Sequence, residues 1–212
     1  MIYEVRTYDL KPRSVPEVEK RFGEAYEKRK KYSELAVFWH TEIGPLNQII
    51  HVWPYQDLAE RDRIRAAAVK DGVWPPKIGE FILSMRSDIF IPFAISPEIK
   101  PAKVGPYFEM RTYTYASGEL PVITKAWENA IEGRLKFGPV TAIWYSDLGG
   151  LNKFVHIWPY KSLDERVDIR NKSRATGAWP PAELAEKQGG RGYLLLAQEN
   201  KILMPASFSP LQ

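Results

Sequence analysis

The chain has no cysteine among its 212 residues, which excludes a disulfide framework, a thiolate nucleophile and any cysteine-ligated metal. Histidine is almost as scarce. Only His40, His51 and His156 occur, at unrelated positions, and such scatter does not make a zinc site, so no metal is expected. No apolar run approaches the ~20 residues needed to cross a bilayer. Strand-like sequence already begins at Ile2, so no signal or transit peptide is expected. The expected location is cytoplasmic, away from any membrane.

Charge of one sign is nowhere concentrated. The formal net charge is +4 and the pI about 9.1, but acids and bases interleave, as in Glu17-Val18-Glu19-Lys20-Arg21. That pattern describes solvated helix faces, so no nucleic-acid partner is expected. Phosphate-binding loops, dinucleotide fingerprints, HExxH and nucleophile elbows are all missing.

What the chain does contain, it contains twice. Tyr3-Glu4-Val5-Arg6-Thr7-Tyr8 returns as Phe108-Glu109-Met110-Arg111-Thr112-Tyr113, and His51-Val52-Trp53-Pro54-Tyr55 as His156-Ile157-Trp158-Pro159-Tyr160. Trp74-Pro75-Pro76 returns as Trp179-Pro180-Pro181, at the same offset of 105. Of the first 76 aligned positions, 27 are identical, which establishes an internal repeat. Ile89-Phe90-Ile91-Pro92 matches Ile202-Leu203-Met204-Pro205 at an offset of 113. The second copy therefore carries eight extra residues, expected around Gln188-Gly189-Gly190-Arg191-Gly192. Residues 1–97 form one repeat, 98–106 a connector and 107–212 the other.

Within a repeat, residues 2–8 alternate and predict a strand. Ser14 and Pro16 open a helix to about Lys31. Strands follow from Leu35 to Glu42 and from Asn47 to Trp53, separated by Gly44-Pro45 turn chemistry and ended by Pro54. Asp57-Leu58-Ala59-Glu60 and Ser162-Leu163-Asp164-Glu165 are capping boxes that open a helix to about Val69, with Leu58, Ile64 and Ala68 inward. Gly72 stops it, and segments around Phe81–Leu83 and Ile89–Ile91 supply the last strand. The order βαββαβ predicts a ferredoxin-like fold, α+β in class, with both helices on one sheet face. Packing the two uncovered faces together would give an intramolecular dimeric α/β-barrel.

Strand alternation sorts the candidate functional residues. Gln48, Ile50 and Val52 share one face and are expected under the helices. Glu4, Arg6, Tyr8, Asn47, His51 and Trp53 share the other, as do Glu109, Arg111, Tyr113, Asn152, His156 and Trp158; Trp39 and Trp144 join from the second strands. These are expected to line the barrel lumen as ligand-binding residues. His51 and His156 are candidate catalytic bases, and Arg6 and Arg111 forks for an anionic group. The competing reading is a structural network in which Glu4 and Arg6 pair with their symmetry mates and Asn47 satisfies His51. Arg61 and Arg65, with Arg166 and Arg170, lie one turn apart on the second helix; they could bind an anion, but are expected to snorkel beside Leu58 and bond a neighbouring carboxylate. His40, matched by Tyr145, has no assigned role, and Trp74-Pro75-Pro76 reads as a rigid packed loop or a lid over the barrel mouth.

Glu-x-Arg-Thr-Tyr at the head of each half, with His-x-Trp-Pro-Tyr-x-[Asp/Ser]-Leu-x-Glu-Arg downstream, resembles the NIPSNAP family across essentially the whole chain. The resemblance implies two tandem domains of the dimeric α/β-barrel superfamily and leaves the activity open. That superfamily includes cofactor-independent and haem-degrading monooxygenases, the latter using an Asn, a Trp and a His in the cavity. No cofactor is expected here; haem is what those relatives would imply. The leading expectation is a small aromatic or anionic ligand in the lumen. A monooxygenase and a non-catalytic interaction scaffold are the alternatives, and free barrel edges are compatible with a homo-oligomer.

Overall fold

A computed structural model of the chain describes residues 1–189 and 192–212. The first half runs β1 (Ile2–Leu10), α1 (Val15–Arg29), β2 (Val37–Ile43), β3 (Gln48–Tyr55), α2 (Leu58–Lys70) and β4 (Ile82–Pro92). The second repeats it as β5 (Tyr107–Tyr115), α3 (Leu120–Leu135), β6 (Ala142–Leu148), β7 (Lys153–Tyr160), α4 (Leu163–Ala175) and β8 (Leu195–Pro205). It inserts one further helix, α5 (Pro181–Lys187), where the first half has a 3-10 turn at Gly79–Phe81. The eight extra residues therefore enter partly as helix. Of the stretch expected to carry them, Gly190 and Arg191 lie outside the described residues.

All strands pair antiparallel and close into one barrel in the order β1-β3-β2-β8-β5-β7-β6-β4. The two halves join where β2 meets β8 and where β4 meets β6. The expected α+β barrel is thus the observed one, with the helices outside. Several of its local signals hold. Asp57 Oδ1 accepts from the Glu60 amide at 2.8 Å, and Ser162 Oγ from the Glu165 amide at 3.0 Å. Gly72 and Gly177 stop α2 and α4 at φ 67° and 68°, a region closed to most side chains.

Three local expectations need correction. β3 continues through Pro54 to Tyr55. Val52 accepts from Ala36 on the β2 side, and Pro54, two residues on, faces the same side where β2 has not yet begun, so its missing N–H costs no ladder bond. Leu58 is 41% exposed rather than inward, while Ala68 is buried as expected. Ser14 sits at the start of α1, but its hydroxyl donates to the Lys11 carbonyl at 2.6 Å instead of capping the helix.

The larger correction concerns the strand faces. The lumen is filled by Tyr3, Val5, Trp39, Ile50 and Val52 with Phe108, Trp144, Val155 and Ile157 from the other half. Tyr3 stacks on Trp144 at 4.7 Å, and its symmetry mate Phe108 lies 5.3 Å from Trp39. Each pair adds about 0.5–1.5 kcal/mol beyond burial. The centre of the barrel is an apolar core. Trp39 and Trp144 do point inward. Tyr8, Ile49 and Trp53 instead join the cluster beneath α1 and α2, and Phe154 and Trp158 the one beneath α3 and α4. Pairing opposite neighbours puts Glu4 beside Trp53 and Arg6 beside His51 on that same helix-facing side. The polarity of this set does not send it inward, because α2 and α4 bring down arginines that neutralise its carboxylates.

One mouth of the barrel is closed by the connector and the C-terminus, joined where Gln212 donates to the Ala102 carbonyl at 2.8 Å; Ile99, Val104 and Leu211 pack onto the lumen core. The opposite end keeps a space of about 50 Å³ beside Thr7, Thr112 and Lys201, room for a water or two. Here the junctions differ. Where β4 meets β6, buried Asp88 takes Arg86 Nε at 3.1 Å and has Lys153 Nζ at 4.0 Å. Gly149 must be glycine there, since φ is 104° and a Cβ would collide with the Asp88 carboxylate. Where β8 meets β2, Lys201, aligned with Asp88, donates to Gln48 Oε1 at 2.6 Å, and Gln48 aligns with Lys153.

Candidate functional site: an arginine cluster beneath the helices of each repeat

Glu4 and Glu109 are fully buried on the helix-facing side of β1 and β5. A lone carboxylate could not remain ionised there. Glu4 is met by Arg61 Nη2 at 2.6 Å, Arg6 Nη1 at 2.9 Å and Arg65 Nη1 at 3.5 Å. Burial pushes its carboxyl up, but the Arg61 hydrogen bond and the charges of Arg65 and Arg6 outweigh this and hold it at about 2. Glu109 has Arg166 at 2.5 Å, Arg111 at 3.0 Å and Arg170 at 3.7 Å, and is likewise held below the usual carboxylate range against its burial. The helix arginines bond a neighbouring carboxylate as expected. The pairing lies within each repeat and does not cross to the symmetry mate.

Around each carboxylate the expected residues converge. Arg6 and Arg111 donate through Nε to the hydroxyls of Tyr8 and Tyr113, at 2.7 and 2.8 Å. Trp53 Nε1 donates to His51 Nδ1 at 2.7 Å, and Trp158 Nε1 to His156 Nδ1 at 2.6 Å. That bond places the imidazole proton on Nε2. Nε2 is buried without a partner in both rings. Burial, followed by neighbouring arginines, drives both histidines well below their ordinary pKa. Each is a neutral donor whose lone pair is already engaged.

Asn47 and Asn152 do not join them. Both occupy hairpin turns at φ 54° and 57°, a left-handed conformation that asparagine tolerates. Their carbonyls accept from Leu10 and Tyr115 at 2.8 and 3.0 Å. His40, unassigned from sequence, contacts Glu19 at 2.7 Å.

Several site residues escaped the strand-face argument. Arg29 and Arg134 lie on the buried stripes of α1 and α3, with their guanidiniums 4.8 Å over Trp53 and 4.1 Å over Trp158. A cation recurring on an apolar helix stripe in both copies was the available signal. Trp179 packs against Trp127 and Trp158 at 5.0 and 5.8 Å. The Trp-Pro-Pro loop is thus packed over the helix-facing site and is no lid on the barrel mouth. Tyr193, in the unaligned insertion, gave no signal.

In the second repeat these residues border a cavity of about 220 Å³. Its walls are the rings of Tyr113, Tyr115, Trp127, Trp158, Trp179 and Tyr193, and its polar groups include Arg111, Arg134, Arg170, Arg174 and His156. No carboxylate occurs among the described residues that line it. Arg134 Nη1 is buried there without a partner, whereas its counterpart Arg29 Nη1 donates to Ser33 at 2.9 Å. Position 138, aligned with Ser33, is glycine. Burial, and then Tyr113, push the Tyr193 hydroxyl up to about 12, and burial, followed by Tyr193 and Tyr113, raises Tyr115. Both stay protonated.

Haem does not fit these residues. Both imidazoles are enclosed by aromatic rings with Nδ1 occupied, and the cavity falls below the ~300–1,000 Å³ of sites for drug-sized ligands. Among the described residues no group of three His, Asp or Glu could hold a metal. No helix among them is long and apolar enough to cross a membrane.

Closure of two βαββαβ halves into one barrel with outer helices defines the class: a dimeric α/β-barrel completed within a single chain. The chain belongs to the NIPSNAP family, whose family model matches it twice, over residues 3–97 and 108–210. It is 31% identical over 218 residues to human protein NipSnap homolog 3B, covering 99% of this chain and 85% of that one. It is 25% identical over 221 residues to protein NipSnap of Drosophila melanogaster, covering 100% and 79%. A crystal structure from Lactobacillus acidophilus, provisionally named a monooxygenase, matches with a TM-score of 0.62 at 11% identity, covering 97% of this chain and 94% of that one. That likeness concerns the fold alone.

Proposed function

We propose that this NIPSNAP protein binds a small anionic molecule with a planar aromatic part, one per chain, in the cavity beneath α3 and α4. One observation carries the reading: four arginines line an aromatic-walled cavity, and two of its lining residues, Arg134 and His156, carry buried donors without partners, Nη1 and Nε2. A buried donor left unmade costs about 1–3 kcal/mol, more when charged, and an acceptor-rich ligand removes that cost. The rings supply stacking surface, and the arginines supply forks for an oxyanion. This moves the expected ligand from the lumen to the helix-facing side of the second repeat. His156 serves there as a donor that orients the ligand. It is not a proton acceptor, because its free lone pair already takes the Trp158 N–H. The protein thus acts as a binder in this reading.

Titration with benzoate and phenyl phosphate, followed by quenching of tryptophan fluorescence, tests it. Saturable quenching is expected from at least one of them, lost in Arg134→Met. Absence of quenching with both, or quenching indifferent to Arg134→Met, refutes the proposal.

A further inference from the structure

The charge around this cavity is larger than one carboxylate ligand would balance. Glu109 is paired with Arg111, Arg166 and Arg170, and Arg134 and Arg174 also face the site. Five guanidiniums stand against one carboxylate, a surplus of four. Glu186 of α5, which acts on Tyr193 at the rim, lowers it to three. Three differences between the copies here move the second towards accepting a negative ligand, while Ala182 in place of Lys77 moves it the other way. Arg174 replaces Val69, Gly138 replaces Ser33 and frees Arg134, and Tyr115 replaces Leu10. In the first repeat the buried Ile78 packs with Leu10 and Trp74 in one cluster.

The hydrogen-bonding character agrees with the charge. Guanidiniums and the His156 Nε2–H can only donate, and protonated tyrosines can donate as well. Gln198 alone among the lining side chains brings an amide oxygen. A ligand with several acceptor oxygens and two negative charges matches this set; an amine or an alcohol does not.

Resting on the binding reading above, we infer that the head group taken by the cavity is a doubly charged oxyanion of the phosphate monoester class, carried on a small planar substituent. The ring lies among Tyr115, Trp179 and Tyr193, and the oxygens face Arg134, Arg170 and Arg174. A phosphate monoester loses its second proton near pH 6, which gives a readout that carboxylates lack.

Calorimetric titration of the full chain with phenyl phosphate and with benzoate, between about pH 5 and 8, separates the two levels of the proposal. At pH 7.5 phenyl phosphate should bind at least about tenfold more tightly than benzoate, a difference of about 1.4 kcal/mol. Its affinity should fall about tenfold per unit as pH drops below 6, while benzoate stays level down to pH 5.5. Arg174→Val, which restores the first-repeat residue, should weaken phenyl phosphate about tenfold and benzoate less than about twofold. Equal affinities, or a level pH profile for phenyl phosphate, overturn the dianion and leave the binding reading standing. Failure of both ligands to bind overturns both.

Discussion

The two halves of this molecule share a carboxylate with three arginines, a histidine locked by a tryptophan and an arginine lying over that tryptophan. They differ in what surrounds this shared arrangement. In the first repeat the last arginine is bonded to Ser33 and Ile78 packs nearby. In the second, Gly138 withdraws that bond, α5 replaces the 3-10 turn, and a cavity borders the same groups. Identity between copies therefore marks the structural network, and difference between them marks the candidate site. A duplicated protein supplies its own control, because one copy shows the same network with Arg29 bonded to Ser33 and Ile78 packed nearby.

The largest test of that comparison removes the carboxylates. Glu4→Gln and Glu109→Gln each leave three arginines facing one another in a buried setting, and each should lower unfolding stability by about 3–5 kcal/mol in urea titrations. Millimolar phenyl phosphate should recover part of the loss in Glu109→Gln and none in Glu4→Gln. Equal recovery in both would erase the proposed difference between the repeats.

Acid should act on the two halves together. A group whose folded pKa lies below its unfolded value stabilises the fold above the unfolded value and loses that contribution as pH falls through the folded one. His51 and His156 are depressed from 6.5, and Glu4 from 4.5 to about 2. Glu109 is depressed in the same direction. Stability should start to fall below about pH 6.5, as protons bind the unfolded histidines, and fall further between about pH 4.5 and 2. His40, raised by Glu19, contributes in the opposite sense: its share is full below 6.5 and lost as pH rises. A midpoint in denaturant that stays constant from pH 7 to 3 would contradict the neutral histidines and ionised glutamates together.

The smallest effect should come from Ser33→Ala. It frees Arg29 Nη1 as glycine at 138 has freed Arg134, at a cost of about 1 kcal/mol. The same change should leave phenyl phosphate affinity untouched, since the proposed site belongs to the other half.

The architecture was legible because its signals are local and repeated. Capping residues, turn glycines and the 105-residue offset act within a few positions of one another or recur in register. The two strand faces were not distinguishable in the same way. β3 is buried almost throughout, so alternation separates its residues into two sets without saying which set meets the helices. The apolar set went to the centre, where the two sheets meet. The polar set went beneath the helices, where Arg61, Arg65, Arg166 and Arg170 reach it from 57 and 61 residues away along the chain. Arg134, on an otherwise apolar stripe, was readable; Tyr193, in an insertion without a counterpart, was not.

The two ends of the barrel wall that bring Asp88 to Lys153 and Lys201 to Gln48 have a further meaning. Separate identical subunits must meet twice through the same residues, so any change is imposed on both contacts at once. A tether between the subunits lifts that constraint. One contact here has become an ion pair while its twin has become a lysine–amide bond, and two second-type halves would set Lys201 against Lys153 on either side. Fusion has thus turned a self-matching surface into a lock and its key, each free to change alone.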